Sequence, residues 1–517
     1  MEFTILMKKY LDKIHLILGH RRLFWFIEAI FILSAAWIAL SAVYPQAFDE
    51  NFHFGLIQVY SHYWFPFLAR QPPHADAYGA VARDPSYLYH YLMSFPYRII
   101  KLIDPEQIGQ IIMLRFINIA LFASGLYLFS RLLNRAGISV ALSNVILFVF
   151  ILIPITPQLA AHINYDNLLF PLVAIVCLQS FTVIDELRKK KPNIQHLLVL
   201  LATCLFASLV KYVFLPIFLG ILLYLAYLIY KTYQGKNQLY LSKFVKSWQH
   251  ESLIMQSLLI VLLLVSFAMF MQRDGYNIIK YHEIIPDCSK VLNVKECSSY
   301  SPWRYDYVTH NKLLAKKPGT VILYNPVSYM GVWLYWMWYR LFFAINGQTS
   351  GFRNYPPLPL PSAAAIIIAV GGFYAVLISW RRLFRDNPYL VLLLTISITY
   401  AAALWLDGFA EYHYTHILQA MNGRYLLPIL IPVGAILGRA YSLTLRAKPA
   451  YKKVFAILVI LFFIEGGGVL TFISRSDATW YWHNKSVVKA NHVAQKITKP
   501  VIIKGKKTFQ THVWFYN

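Results

Sequence analysis

The sequence predicts an all-α integral membrane protein, a polytopic bundle of about eleven transmembrane helices. Three observations predict it. Of 517 residues, 58% are hydrophobic and only 14% charged, with mean hydropathy +0.50, against about 25% charged in a soluble chain. The apolar residues fall in blocks of about 18 to 22, long enough to cross a bilayer at roughly 1.5 Å per residue. Tyr and Trp flank these blocks, where amphipathic rings favour the interface, and Lys and Arg gather in the short segments between them.

The spans are expected near 23–44, 108–130, 138–155, 167–184, 195–210, 212–230, 252–271, 361–380, 388–406, 425–443 and 453–473. The first is too long for a secretory signal and is followed by no small-residue cleavage site, so it reads as an uncleaved anchor. Basic segments at 8–22, 131–135, 188–191, 231–246, 381–385 and 446–453 fix the orientation. All six fall on the cytoplasmic side of one alternating path, with the N-terminus inside and the C-terminus outside. Residues 1–473 then form the membrane domain and 474–517 an extracytoplasmic tail. The lysines of that tail run against the charge rule. The aromatic stretch 329–344 is read as a helix lying on the membrane, because a span there would invert WRRLFRDN. The net charge of +25 is explained by topology, with anionic lipid headgroups as the partner rather than nucleic acid.

This path gathers most carboxylates on the outer face, in the loops 45–107 and 272–360 and the loop before Asn422. Cys288 and Cys297 share one of these loops, where a disulfide is chemically permitted. Cys177 and Cys204 lie inside apolar spans.

Four groups there can carry chemistry. Asp49 and Glu50 are adjacent carboxylates at the end of the first span, in AFDENFHFG with His53. At such a boundary a carboxylate is costly unless paired, metal-bound or used; plain solvation of a loop is the alternative. Asp166, in HINYDN, opens the fourth span as a helix cap or a site carboxylate. Lys211, in LVKYVFLP, and Arg424, in NGRYLLP, are cations at the same boundary. They suit a phosphate at headgroup depth, or they snorkel to lipid. Finally, Tyr89 and His90 lie in RDPSYLYHYLMSFPYRI, an interfacial helix whose rings can also stack on a sugar. Glu28 and Glu465 lie within spans and carry no catalytic assignment. No P-loop, HExxH or GxSxG motif occurs, so any synthesis draws on a pre-activated substrate or a gradient.

At these residues a resemblance emerges. FDENFHFG resembles the first-loop FDE-x-HFG motif of protein O-mannosyltransferases, with one extra residue before His53. DPSYLYHYLMSFP is similar to the HPPLYY-type segment of many bacterial relatives, and NGRYLLP resembles the GRYLLP motif of bacterial membrane proteins of this layout. Together these resemble the GT-C superfamily of glycosyltransferases. The resemblance implies a polyprenyl-phosphate sugar donor, an acceptor glycan, lipid or protein, and inverting transfer at the outer face of a plasma or inner membrane. It implies Asp49 as general base and Glu50 and Asp166 shaping the site or holding a divalent metal, Mg or Mn. Lys211 and Arg424 would bind the donor phosphate, and His53, Tyr89, His90 and Tyr425 would line the substrate site. A multi-span transporter or lipid flippase is the alternative.

Overall fold

The computed structural model describes residues 12–14, 16–232, 237–249, 252–315, 324–342, 344–347, 351–354, 364–418, 421–464 and 467–498. Glu465 lies outside these. Among the described residues the regular structure is helical apart from a two-stranded antiparallel hairpin, Ala344–Gly347 with Gly351–Asn354. Among the described residues, eight helices are long and apolar enough to cross a membrane.

The principal helices, in order, are α1 (Arg22–Ser41), α2 (Glu50–Tyr60), α3 (Leu88–Ile103), α4 (Gln107–Arg135), α5 (Val140–Leu152), α6 (Ile155–Ala160), α7 (Asp166–Arg188), α8 (Ile194–Val210), α9 (Leu215–Thr232), α10 (Leu253–Phe270), α11 (Ser301–Leu314), α12 (Pro326–Phe342), α13 (Gly372–Phe384), α14 (Pro388–Thr415), α15 (Leu427–Thr444), α16 (Pro449–Ile464), α17 (Val469–Arg475) and α18 (Lys485–Thr498). Each of the eleven expected spans coincides with a helix, but the third and eleventh are broken. Pro154 separates α5 from α6, and Gly467-Gly468 precedes α17. The breaks meet. Gly468 N–H donates to Leu152 O (2.7 Å), and a Cβ on Gly467 would lie 2.6 Å from that same oxygen. Only a residue without a side chain fits this crossing.

Side-chain caps start several helices. Ser139 Oγ accepts from Leu142 N–H before α5, and Asn387 Oδ1 accepts from Tyr389 and Leu390 N–H before α14. The core runs along the pairs α4–α7, α9–α14, α8–α10 and α13–α15. Phe122, Phe150 and Phe170 stack within it, Phe122 and Phe170 at 4.2 Å.

The first loop is largely helical. α3 turns Tyr89, His90, Met93 and Tyr97 inward and leaves Leu92, Phe95, Ile99 and Leu102 exposed along the opposite stripe. That is the face an interfacial helix offers to lipid. The loop is pinned by Arg273, from a π-turn that extends α10. Its fully buried guanidinium donates to Val81 O (2.9 Å), Pro66 O (3.1 Å) and Tyr60 Oη (3.3 Å). In the loop between α10 and α11 Cys288 and Cys297 form a disulfide, Sγ–Sγ 2.08 Å. It precedes Tyr300, whose ring packs against Phe52, 6.1 Å between centroids. α12 lies against the C-terminal half of α14 and the 3-10 turn Gly423–Leu426. Gly423 allows that contact, since a Cβ there would sit 2.4 Å from the Leu341 backbone.

Candidate functional site

The site is built at one end of the bundle from the ends of α1, α7, α8 and α15. Beyond α1, Phe48 and Asp49 take left-handed backbone conformations in succession, φ 59° and 58°. Neither is glycine, and such conformations cost energy and concentrate where a side chain must be aimed. The consequence is that Asp49 and Glu50 diverge, although adjacent.

Glu50 turns inward. Its side chain is fully buried in a bidentate pair with Arg115 of α4, Nε to Oε1 2.8 Å and Nη2 to Oε2 2.7 Å. Ile163 N–H adds a third bond, at 3.2 Å. Arg115 also donates to the carbonyls of Ala39, Ala42 and Val43. Burial alone would raise the Glu50 pKa, but the Arg115 charge, then His162 and these hydrogen bonds, hold it below its ordinary value. Arg115 is absent from the sequence reading. Its signal was there, an arginine inside an apolar span, which must find a partner.

Asp49 turns outward. Its side chain is 69% exposed, and Oδ2 accepts from Arg424 Nη2 at 3.0 Å. Arg424 itself is buried. Its Cζ lies 5.3 Å from the Phe48 ring centroid and 5.2 Å from that of Tyr425. Its Nε and Nη1 are buried with no hydrogen-bond partner among the described residues.

Beside this pair sits a second. Lys211, at the end of α8, places Nζ 2.7 Å from Asp166 Oδ1, both side chains buried. Nζ also lies 4.4 Å from the Tyr165 ring centroid and 5.2 Å from that of Tyr425. Burial, and after it the Arg424 charge, lowers the Lys211 pKa against the opposing pull of Asp166. Asp166 does not cap its helix; no side-chain cap precedes α7, and Asn164 Oδ1 accepts the Asp166 N–H (2.9 Å). Neither cation snorkels; both are enclosed by protein. The Tyr425 ring touches both cations and joins the pairs into one cluster containing Asp49, Asp166, Lys211 and Arg424.

His53, Tyr89 and His90 lie behind this cluster rather than on its open side. His53 Nδ1 is 2.9 Å from His90 Nε2, and its Nε2 is 3.0 Å from Asn164 Nδ2. Tyr89 Oη donates to Asn118 Oδ1 (2.7 Å), which also accepts from Asn167 Nδ2 (2.9 Å). All three are buried. Burial drives the His90 pKa down to about 3 and that of His53 well below its usual value, the latter helped by His90, Arg424 and Lys211. Both rings are therefore neutral near pH 7 and set the position of Asn164 and the Phe48–Asp49 turn, whose Phe48 carbonyl accepts from Asn164 Nδ2 (2.9 Å). Assigning them to direct substrate contact does not fit this enclosure. Gly55 of the same motif admits Tyr78, whose Oη would be 2.1 Å from an added Cβ.

A metal shared by Glu50 and Asp166 does not fit the donors. Both Glu50 oxygens are taken by Arg115, and Asp166 Oδ1 is taken by Lys211, which leaves Asp166 Oδ2 alone without a hydrogen-bond partner among the described residues. Among the described residues no three His, Cys, Asp or Glu side chains converge as a metal site. Each carboxylate of the cluster instead has its own cation.

No family model matches the chain, and no curated protein does. Among solved structures, the apo Archaeoglobus fulgidus oligosaccharyltransferase is similar at TM-score 0.42 and 14% identity, over 87% of this chain and 55% of that one. The same organism's oligosaccharyltransferase AglB, in complex with an inhibitory peptide and a dolichol-phosphate, is similar at TM-score 0.43 and 11% identity, over 89% and 56%. This chain thus spans little more than half the length of either.

Proposed function

We propose that the protein is a membrane glycosyltransferase of GT-C type. It moves a sugar from a polyprenyl-phosphate donor to an acceptor hydroxyl, at the extracytoplasmic face of a plasma or inner membrane. The observation that carries this reading is the pairing of opposites at the cluster's mouth. A buried arginine with two guanidinium nitrogens unpartnered among the described residues lies beside a buried lysine and next to an exposed carboxylate. Unpaired buried donors of this kind are expensive and suit an arriving anion.

In the reaction, Asp49 accepts the proton of the acceptor hydroxyl. The acceptor oxygen forms a bond to the anomeric carbon as the bond from that carbon to the phosphate oxygen breaks, with inversion. The lipid phosphate departs with the electron pair, and Arg424 Nε and Nη1 with the Lys211 ammonium stabilise the charge growing on it. Asp166 holds Lys211, Tyr425 flanks both cations, and Glu50 with Arg115 fixes the turn that aims Asp49. The scheme takes a hexose or a pentose as the sugar and a glycan, lipid or protein as the acceptor.

The test is transfer from a defined polyprenyl-phosphate sugar in proteoliposomes. Asp49→Asn should lower kcat by about 10²–10⁴-fold while the protein still inserts and melts as wild type. Full activity in that variant discards the general-base role. The transporter or flippase reading gains only if uptake or lipid flipping occurs without transfer.

A further inference from the structure

We propose that α18 is a docking face for anionic phospholipid headgroups, on the same side of the membrane as the candidate site. From Ala478 to Asn517 the sequence has seven lysines and no Asp or Glu. Non-cytoplasmic segments are ordinarily poor in lysine, and glycosyl transfer leaves this enrichment unexplained.

The structure ties the tail to the site's end of the bundle. Val43 N–H donates to Trp480 O (2.9 Å) and Trp482 N–H to Ser41 O (3.1 Å). Asn491 Oδ1 accepts from Trp37 Nε1 (3.1 Å), and its Nδ2 donates to Ser41 Oγ (3.0 Å). The Arg115 guanidinium that anchors Glu50 lies 5.5 Å from the Trp482 ring. Gln495 Nε2 donates to Ile473 O and Ser476 O, which clamps the second half of α18 onto α17.

With that face engaged, Lys485, Lys489, His492 and Lys496 stand on the other, at spacings of four, three and four residues, all exposed. His483 and Asn484 extend the same shallow hollow. A basic stripe alone suits any polyanion. Two further features select a lipid surface. Val493 and Ile497 are exposed between the basic residues, at 48% and 69%, and branched apolar side chains among lysines suit the headgroup–acyl boundary. Moreover, α18 crosses α1 at Trp37 and Ser41, one turn inside and at the very end of an apolar span, which is headgroup depth. The lysines then hold lipid phosphates while Val493 and Ile497 reach the acyl boundary.

The experiment compares backbone hydrogen exchange of residues 485–498 in the full-length protein, in nanodiscs of phosphatidylcholine and of phosphatidylglycerol. Each lysine near an anionic surface is worth about fivefold in attraction, so exchange should slow at least about fivefold in phosphatidylglycerol. The triple variant Lys485→Gln/Lys489→Gln/Lys496→Gln should lose that dependence, with exchange at residues 37–41 unchanged as the folding control. Equal exchange of the wild type in both lipids overturns the proposal. So does equal protection by soluble polyphosphate in phosphatidylcholine nanodiscs, which would identify a free polyanion as the occupant. The outcome is independent of whether the protein transfers sugar.

Discussion

At Asp49 and Glu50, one peptide bond separates two carboxylates with opposite fates. The left-handed turn at Phe48 and Asp49 sends one to solvent beside Arg424 and the other into a dry pair with Arg115. Removing one partner of a buried pair leaves the other charge stranded, at a cost of about 3–5 kcal/mol. Glu50→Gln should therefore lower the thermal midpoint in detergent sharply, and Glu50→Gln with Arg115→Gln together should cost less than the sum of the singles. Additive losses would remove the anchoring role. Because the Glu50 pKa is lowered in the folded protein, its contribution is complete above the ordinary glutamate range and is lost as pH falls through the lowered value. Lys211 has the opposite consequence. Its pKa is lowered by burial, so its ammonium is lost, as pH rises, sooner than a free lysine's. If that charge holds the donor phosphate, kcat/KM should fall on the alkaline side at a pH below the ordinary lysine range. In Lys211→Arg, residual activity should show no such limb, since a guanidinium stays charged; an unshifted limb in that variant would clear Lys211 of the role.

At the scale of elements, the site depends on glycines that let backbones touch. Gly423 precedes Arg424 in the turn against which α12 packs, and a Cβ there would meet the backbone of Leu341 rather than a movable side chain. Gly423→Ala should displace α12 or the turn, at a cost of about 1–3 kcal/mol, and lower transfer more than Gly331→Ala, where an added Cβ meets nothing within 4 Å. Activity assays of the two variants, with thermal midpoints as control, decide this. The broken helices α5–α6 and α16–α17 were expected as continuous spans. Pro154 and the glycines after Ile464 were visible, but only their contact, Gly468 N–H to Leu152 O, shows the breaks to be one joint.

For the molecule as a whole, the ends of α1, α7, α8 and α15 share one side, and the tail helix α18 is bonded to that same side. Cysteines placed at Ser486 and Ser289 should both be labelled by an impermeant maleimide from outside intact cells, and one at Lys190 only after permeabilisation. Labelling of Ser486→Cys and Lys190→Cys from one side would refute the eleven-span path.

Composition, the period of the apolar blocks and the placement of charge were enough to determine an all-α membrane bundle, the rough positions of its apolar helices and the polar groups at their ends, but not that two of the expected spans are broken. Those properties are local: a run of about twenty apolar residues is a span whatever its neighbours are. Which charge meets which was not legible. Asp49 and Arg424 are 375 positions apart, and Glu50 finds Arg115 across 65; only helix packing brings such groups within 3 Å. For the same reason the sequence offered Glu50 and Asp166 as a metal pair and His53, Tyr89 and His90 as a lining. In the fold each of those carboxylates is held by a cation from another helix, and the rings are sealed behind them, because a buried charge takes the nearest opposite charge that packing supplies.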